Sequence, residues 1–250
     1  MARDLTPSQR LLCAVDTNQL DRAQSLVQNL TPDGGDPLVG GVKLGLEFHS
    51  ALGTDGVRAI AGFGMPIFLD LKFHDIPNTV AGAVRSAMEP TPSFMTIHAS
   101  GGPAMIRAAS DALVAASDAY GVATPVLLAV TVLTSLDQGD LVAVGQDSDV
   151  ASQVKRLGEL AVRAGATGLV CAPFEVGFLR DALGPDVVLV VPGVRPSWAA
   201  KNDQKRVMTP VEAVEAGADH LVIGRPITGA DDPADAARKI AQEIAAGVPG

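Results

Sequence analysis

Aromatic residues are scarce in this chain: one Trp, one Tyr and seven Phe make up 4% of 250 residues. That argues against a sandwich of aromatic-rich strands, whereas the abundant Ala, Val, Leu and Gly suit helices packed tightly on a sheet. Cysteine is nearly absent. Cys13 and Cys171 lie in apolar, strand-like runs, form no disulfide framework of the kind small secreted scaffolds carry, and read as buried reduced thiols. Basic charge is also in deficit: 19 Lys and Arg against 28 Asp and Glu give a net charge of −9 and a pI near 4.8. Nucleic acid and anionic membranes both call for a basic face, so neither is an expected partner, and any anionic ligand needs a local basic pocket. No apolar run reaches the ~18 residues of a membrane span. The opening Met1-Ala-Arg-Asp-Leu-Thr-Pro lacks an apolar export core, so a cytoplasmic enzyme is expected.

The chain does have enough apolar content, 47%, to bury a large core, and one α/β barrel domain over 1–250 accounts for the length. Eight short aliphatic runs alternate with helical patterns: Leu11–Val15, Leu38–Leu44, Pro66–Lys72, Phe94–His98, Val126–Leu133, Gly168–Cys171, Val187–Val191 and His220–Gly224. Eight βα units close a (β/α)8 TIM barrel. Apolar spacing predicts helices such as Gln19–Leu30, Thr79–Met88, Ala104–Ala119, Ser152–Ala164, Pro210–Ala216 and Pro233–Ala245. Asp16, Asp75 and Thr209 each precede a helix and read as helix starts, so Asp16 is open to a purely structural role as a cap. The Pro192–Met208 connection is long enough to be a lid at the carboxyl face.

Chemistry concentrates in Ile67-Phe-Leu-Asp70-Leu-Lys72-Phe-His-Asp75-Ile-Pro-Asn-Thr79-Val80. The strand period of two sends Asp70 and Lys72 to one face at the end of a core strand, and Asp75 falls in the turn before Pro77. A bare D-x-K-x-x-D recurs on solvated surfaces, but here it stands at the mouth of an interior, where unpaired charge is costly. Other strand ends add Asp16, Lys43 and Thr134. Acid and base then alternate, as mutual pairing in a secluded mouth requires, and an ammonium held beside carboxylates can deliver a proton to a carbanion without metal or cofactor. A structural ion-pair network is the alternative for Lys43 and Lys72. Pro192-Gly-Val-Arg195-Pro and Gly224-Arg225-Pro follow the seventh and eighth runs, where barrels commonly hold phosphate. His74 has no second His or Cys at ligand spacing and reads as a surface residue.

The combination of the Asp16 strand end, Val42-Lys43-Leu-Gly, the Asp70–Thr79 motif, His98-Ala-Ser-Gly-Gly, Thr131-Val-Leu-Thr134-Ser, Arg195, Asp203-Gln204-Lys-Arg and Gly224-Arg225-Pro resembles the orotidine 5′-phosphate decarboxylase family of the bacterial type over nearly the whole chain. The resemblance implies cofactor-free decarboxylation, the last step of UMP synthesis, on a homodimer. Lys72 would protonate C6 of the pyrimidine and Asp70 face the departing carboxylate, with Asp75 and Thr79 reaching in from the partner subunit. Lys43 and Asp16 would hold the ribose and order the charges, Thr134 contact the pyrimidine, and Arg195, Gln204, Gly224 and Arg225 hold the phosphate side. Ser197-Trp198-Ala-Ala-Lys201-Asn202 departs from the smaller, glycine-richer segment often found there. Two other readings stay open: a Mg²⁺-dependent sugar-phosphate enzyme on the same barrel, which tends to carry an acid where this chain has Lys43, and a phosphate-binding barrel without turnover.

Overall fold

The computed structural model describes residues 4–32, 34–146, 149–199 and 208–247. Each apolar run contains a strand, and the eight strands pair in parallel, in chain order, into a closed barrel. They are β1 (Leu11–Ala14), β2 (Gly41–Gly45), β3 (Ile67–Phe73), β4 (Phe94–His98), β5 (Val126–Val130), β6 (Gly168–Val170), β7 (Val188–Pro192) and β8 (His220–Ile223). Between and after them run α1 (Leu20–Leu30), α2 (Leu46–Ala61), α3 (Pro77–Ala87), α4 (Gly102–Tyr120), α5 (Gln138–Ala143), α6 (Val150–Arg163), α7 (Val176–Leu183), α8 (Pro210–Glu215), α9 (Arg225–Thr228) and α10 (Pro233–Gly247).

Side-chain alternation sorts each strand into two cores. Leu11, Cys13, Val42, Leu44, Leu69, Met95, Leu189 and Ile223 point outward and pack under the helices. Leu12, Ala14, Phe68, Phe94, Leu128, Val188, Val190 and Val222 point inward and fill the barrel. Phe68 and Phe94 meet at 5.9 Å between ring centroids, and Phe94 stands edge-on to His220 at 5.1 Å. This plug makes the barrel solid below Phe68, leaving only its carboxyl end for a ligand.

Several boundaries differ from the sequence expectation. Strand β2 begins at Gly41 because Leu38 to Gly40 bend around the chain start, with Gly40 N–H donating to Leu11 O at 2.7 Å. Strand β5 stops at Val130, so Val132 to Thr134 form a loop over the barrel mouth. Helix α2 escaped the helical count because Gly53, at φ 61°, breaks it into two pieces and shifts the apolar phase. Of the expected helix starts, Thr209 caps α8 in a reciprocal capping box with Glu212. Asp16 and Asp75 do not cap: the residues before α1 and α3 are Gln19 and Ile76, neither with a side-chain cap.

Candidate active site

Four charged side chains from three adjacent strand ends form one array. Lys43 Nζ lies 3.2 Å from Asp16 Oδ1 and 3.6 Å from Asp70 Oδ2, and Lys72 Nζ lies 2.7 Å from Asp70 Oδ1. Signs alternate along it and sum to zero. The strand period places Lys43 and Asp70 on the inward face with Gly41 and Phe68, while Asp16 follows β1 directly. The Asp70 side chain keeps 11% of its surface and Lys43 13%, whereas Asp16 keeps 59%. Pairing is therefore essential at the inner end and weak at the rim, since a buried carboxylate without partners would be strongly disfavoured.

Lys72 departs from plain strand geometry. Its φ is +50°, a left-handed value that is costly for a residue with a Cβ. The β3–β4 register breaks at the same place: Leu69 pairs with Met95 and Phe73 with Ile97. Thr96 alone therefore faces Asp70, Leu71 and Lys72 across the gap. Its hydroxyl accepts from Lys72 N–H at 2.8 Å and donates to Asp70 Oδ1 at 3.0 Å. Sequence reading passed over Thr96; the available signal was a polar residue at an inward position of the apolar run Phe94-Met-Thr96-Ile.

Above Phe68 a cavity of about 220 Å³ opens, lined by Lys43, Asp70, Lys72, Thr134, Val132 and Cys171 among others. The lining combines three charged side chains, Lys43, Asp70 and Lys72, with apolar ones such as Val130, Val132 and Val170, the mixture of a ligand pocket with a few fixed polar groups. Both cysteines are buried and unpaired by disulfide. Burial pushes the Cys13 thiol up to about 12 and Cys171 higher still, so Cys171 is an apolar wall rather than a nucleophile.

Other expected residues lie outside this cavity. Asp75 and Thr79 are exposed, and Asp75 accepts from Ile76 N–H at 2.6 Å. Arg195 N–H donates to Met208 O at 3.0 Å, closing the base of the β7–α8 connection. Gln204, with Lys201 and Asn202, lies outside the described residues. Arg225 opens α9 at the surface. Gly224 stands where β8 meets β1; a Cβ there would lie 4.0 Å from Asp16 Oδ2. His74 is exposed, as expected, and its ring packs on His98 at 5.5 Å. Burial, then the neighbouring His74 and Lys72, hold His98 below the usual imidazole range. Among the described residues no group of three His, Cys, Asp or Glu is placed to hold a metal ion.

The arrangement can deliver a proton from Lys72 to a ring atom in the cavity and stabilise negative charge developing there. Comparison with known proteins places the chain in a family. Residues 9–240 match the model of the orotidine 5′-phosphate decarboxylase / HUMPS family. An orotidine 5′-phosphate decarboxylase of Paramagnetospirillum magneticum is 52% identical over 231 residues, 92% of this chain and 96% of its own. One from Rhodospirillum rubrum is 53% identical, over 92% of each chain. The crystal structure of the Lactobacillus acidophilus enzyme superposes with a TM-score of 0.82 at 37% identity, covering 94% of this chain and 98% of its own. The protein is a member of the orotidine 5′-phosphate decarboxylase / HUMPS family.

Proposed function

We propose that residues 1–250 form one catalytic domain that converts orotidine 5′-phosphate to UMP and CO₂ without metal or cofactor. The observation that carries the reading is the Asp16–Lys43–Asp70–Lys72 array, whose Lys43, Asp70 and Lys72 line the cavity, in a chain about half identical to decarboxylases of that name. Loss of CO₂ leaves a carbanion at C6 that the pyrimidine ring cannot delocalise as an enolate does. A fixed ammonium is complementary to that charge as it develops, so Lys72 lowers the barrier before it transfers its proton. Asp70 anchors Lys72 and faces the departing carboxylate. Lys43 bridges Asp70 to Asp16, and these two are assigned to the ribose. Thr134 faces the pyrimidine; Arg195, Gln204, Gly224 and Arg225 are assigned to the phosphate, whose binding energy positions the ring.

The enzyme is read as a homodimer in which Asp75 and Thr79 serve the neighbouring site. Their exposure supports this, as does Ile76 between them, a large aliphatic side chain 66% exposed beside the motif. Mixing inactive Lys72→Ala and Asp75→Ala subunits should restore activity, and no recovery would point to an arrangement in cis. No described helix is long and apolar enough to cross a membrane. A cytoplasmic site is in keeping with two unbridged thiols.

Lys43 weighs against the Mg²⁺-dependent sugar-phosphate reading. Its ammonium stands between Asp16 and Asp70, the place a divalent cation bridging those carboxylates would take, and would repel it. The test follows orotidine 5′-phosphate absorbance with and without EDTA. Equal consumption is expected; loss with EDTA and return with Mg²⁺ would overturn the reading, and tight UMP binding without turnover would favour a silent barrel.

A further inference from the structure

We infer that Thr96 is a positioning residue for Lys72, one hydroxyl that holds both ends of the proton donor; the inference rests on the decarboxylase reading. The direction of each bond follows from the atoms. Lys72 N–H can only donate, so Thr96 Oγ1 accepts it at 2.8 Å, and the hydroxyl proton then goes to Asp70 Oδ1 at 3.0 Å. That same Asp70 oxygen receives the Lys72 ammonium at 2.7 Å. The hydroxyl thus fixes the Lys72 backbone directly and its ammonium through Asp70.

The need for such a clamp lies in the register break. Three residues of β3, Asp70 to Lys72, stand opposite Thr96 alone, so the regular backbone ladder cannot serve the Lys72 N–H there. Thr96 Oγ1 takes the place of a ladder carbonyl. The left-handed Lys72 backbone, φ +50°, persists only where its surroundings over-determine it, and this bond supplies that determination. Thr96 has no exposed surface, so water cannot take over the hydroxyl's two bonds, and valine, of the same shape, removes both.

The test compares Thr96→Val, Thr96→Ala and Thr96→Ser with the parent. Folding is followed by circular dichroism and thermal melting, and UMP affinity by calorimetry. The kcat of the Val and Ala variants should fall roughly ten- to hundredfold, the weight of one hydrogen bond to a charged group. KM and UMP affinity should stay within about threefold, because the clamp acts on the reacting group rather than on ligand binding. Ser, which keeps the hydroxyl, should recover kcat to within about threefold of the parent. Hydrogen exchange at the Lys72 amide gives a readout apart from turnover: protected in the parent and Ser variant, fast in Val and Ala. A folded Val or Ala variant with parental kcat, a Ser variant as impaired as Val, or unchanged amide protection would overturn the inference. Should Val fail to fold, the Ala and Ser pair decides it. A parent inactive on orotidine 5′-phosphate would overturn the decarboxylase reading instead, with amide exchange still testing the clamp.

Discussion

Replacing Arg180 with Met should destabilise the protein by about 3–5 kcal/mol while leaving catalysis alone. Arg180 projects from α7 to the amino-terminal end of the barrel, opposite the charged array. Its Nη2 donates to Asp219 Oδ2 at 2.8 Å and to Gly217 O at 2.7 Å, Nε to Gly217 O at 3.2 Å, and Nη1 to Gly184 O at 2.9 Å and Val187 O at 2.8 Å. The Asp219 oxygen also accepts from Leu189 N–H at 2.8 Å, so one ion pair ties α7 to the starts of β7 and β8. The side chains of Arg180 and Asp219 keep 20% and 8% of their surface. Truncating one partner of such a pair is costly because the other stays buried with a countercharge lost, which sets the ~3–5 kcal/mol. For a chain of this size that corresponds to a fall in melting temperature of roughly 6–20 °C. Asp219→Asn keeps the acceptor oxygen and should cost less. The double variant should lose less than the sum of the singles, since each single change leaves a buried charge behind. Urea unfolding measures the losses and kcat/KM is taken well below the transition. A loss under about 1 kcal/mol, or strictly additive variants, would refute the argument, as would a tenfold fall in kcat/KM in folded protein.

Burial raises the Glu175 carboxyl to about 7. A carboxyl raised on folding loses stability as pH climbs from about 4.5 to about 7, because the folded state holds a proton that the unfolded state releases. Glu175→Gln keeps an acceptor for Ala172 N–H and should gain stability at pH 8 but not at pH 4; parallel urea curves at both values would contradict this. In Gly45→Ala the new Cβ would lie 3.1 Å from Lys43 Nζ and 3.7 Å from Asp16 Oδ1, pushing the ammonium off its bridge. Several-fold lower kcat/KM with little change in melting temperature is expected, given the sensitivity of catalysis to small displacements, and unaltered kinetics would show that Lys43 adjusts freely. Trp198, the one tryptophan, is 48% exposed, beside Ser197, whose N–H donates to Glu243 at 3.1 Å. Its fluorescence should change when UMP saturates the site, and an unchanged spectrum would mean that the loop does not close over Trp198.

The barrel was legible because alternation is a local rule: each run shows its inward and outward residues, and eight such runs leave few architectures. The array was legible for the same reason, since Lys43 and Asp70 occupy inward positions at strand ends. Thr96 was not, because its importance arises from a register break between two strands, a relation that neither strand carries alone. Helix α2 was lost to a single glycine that shifts the apolar phase. The roles proposed for Asp75 and Thr79 would need a second copy of the chain, a relation that one chain's sequence does not carry; in the structure both side chains are exposed.

Closing the barrel brings the last strand against the first, with Leu11, Leu12 and Cys13 paired to Leu221, Val222 and Ile223. The proposed ligand-holding residues straddle that join, Asp16 following β1 and Gly224 following β8. A nucleotide held by both would act as a clasp over the seam, joining the first strand to the last. Substrate would then do more than occupy the enzyme: by binding only the closed ring it would stabilise the ring itself.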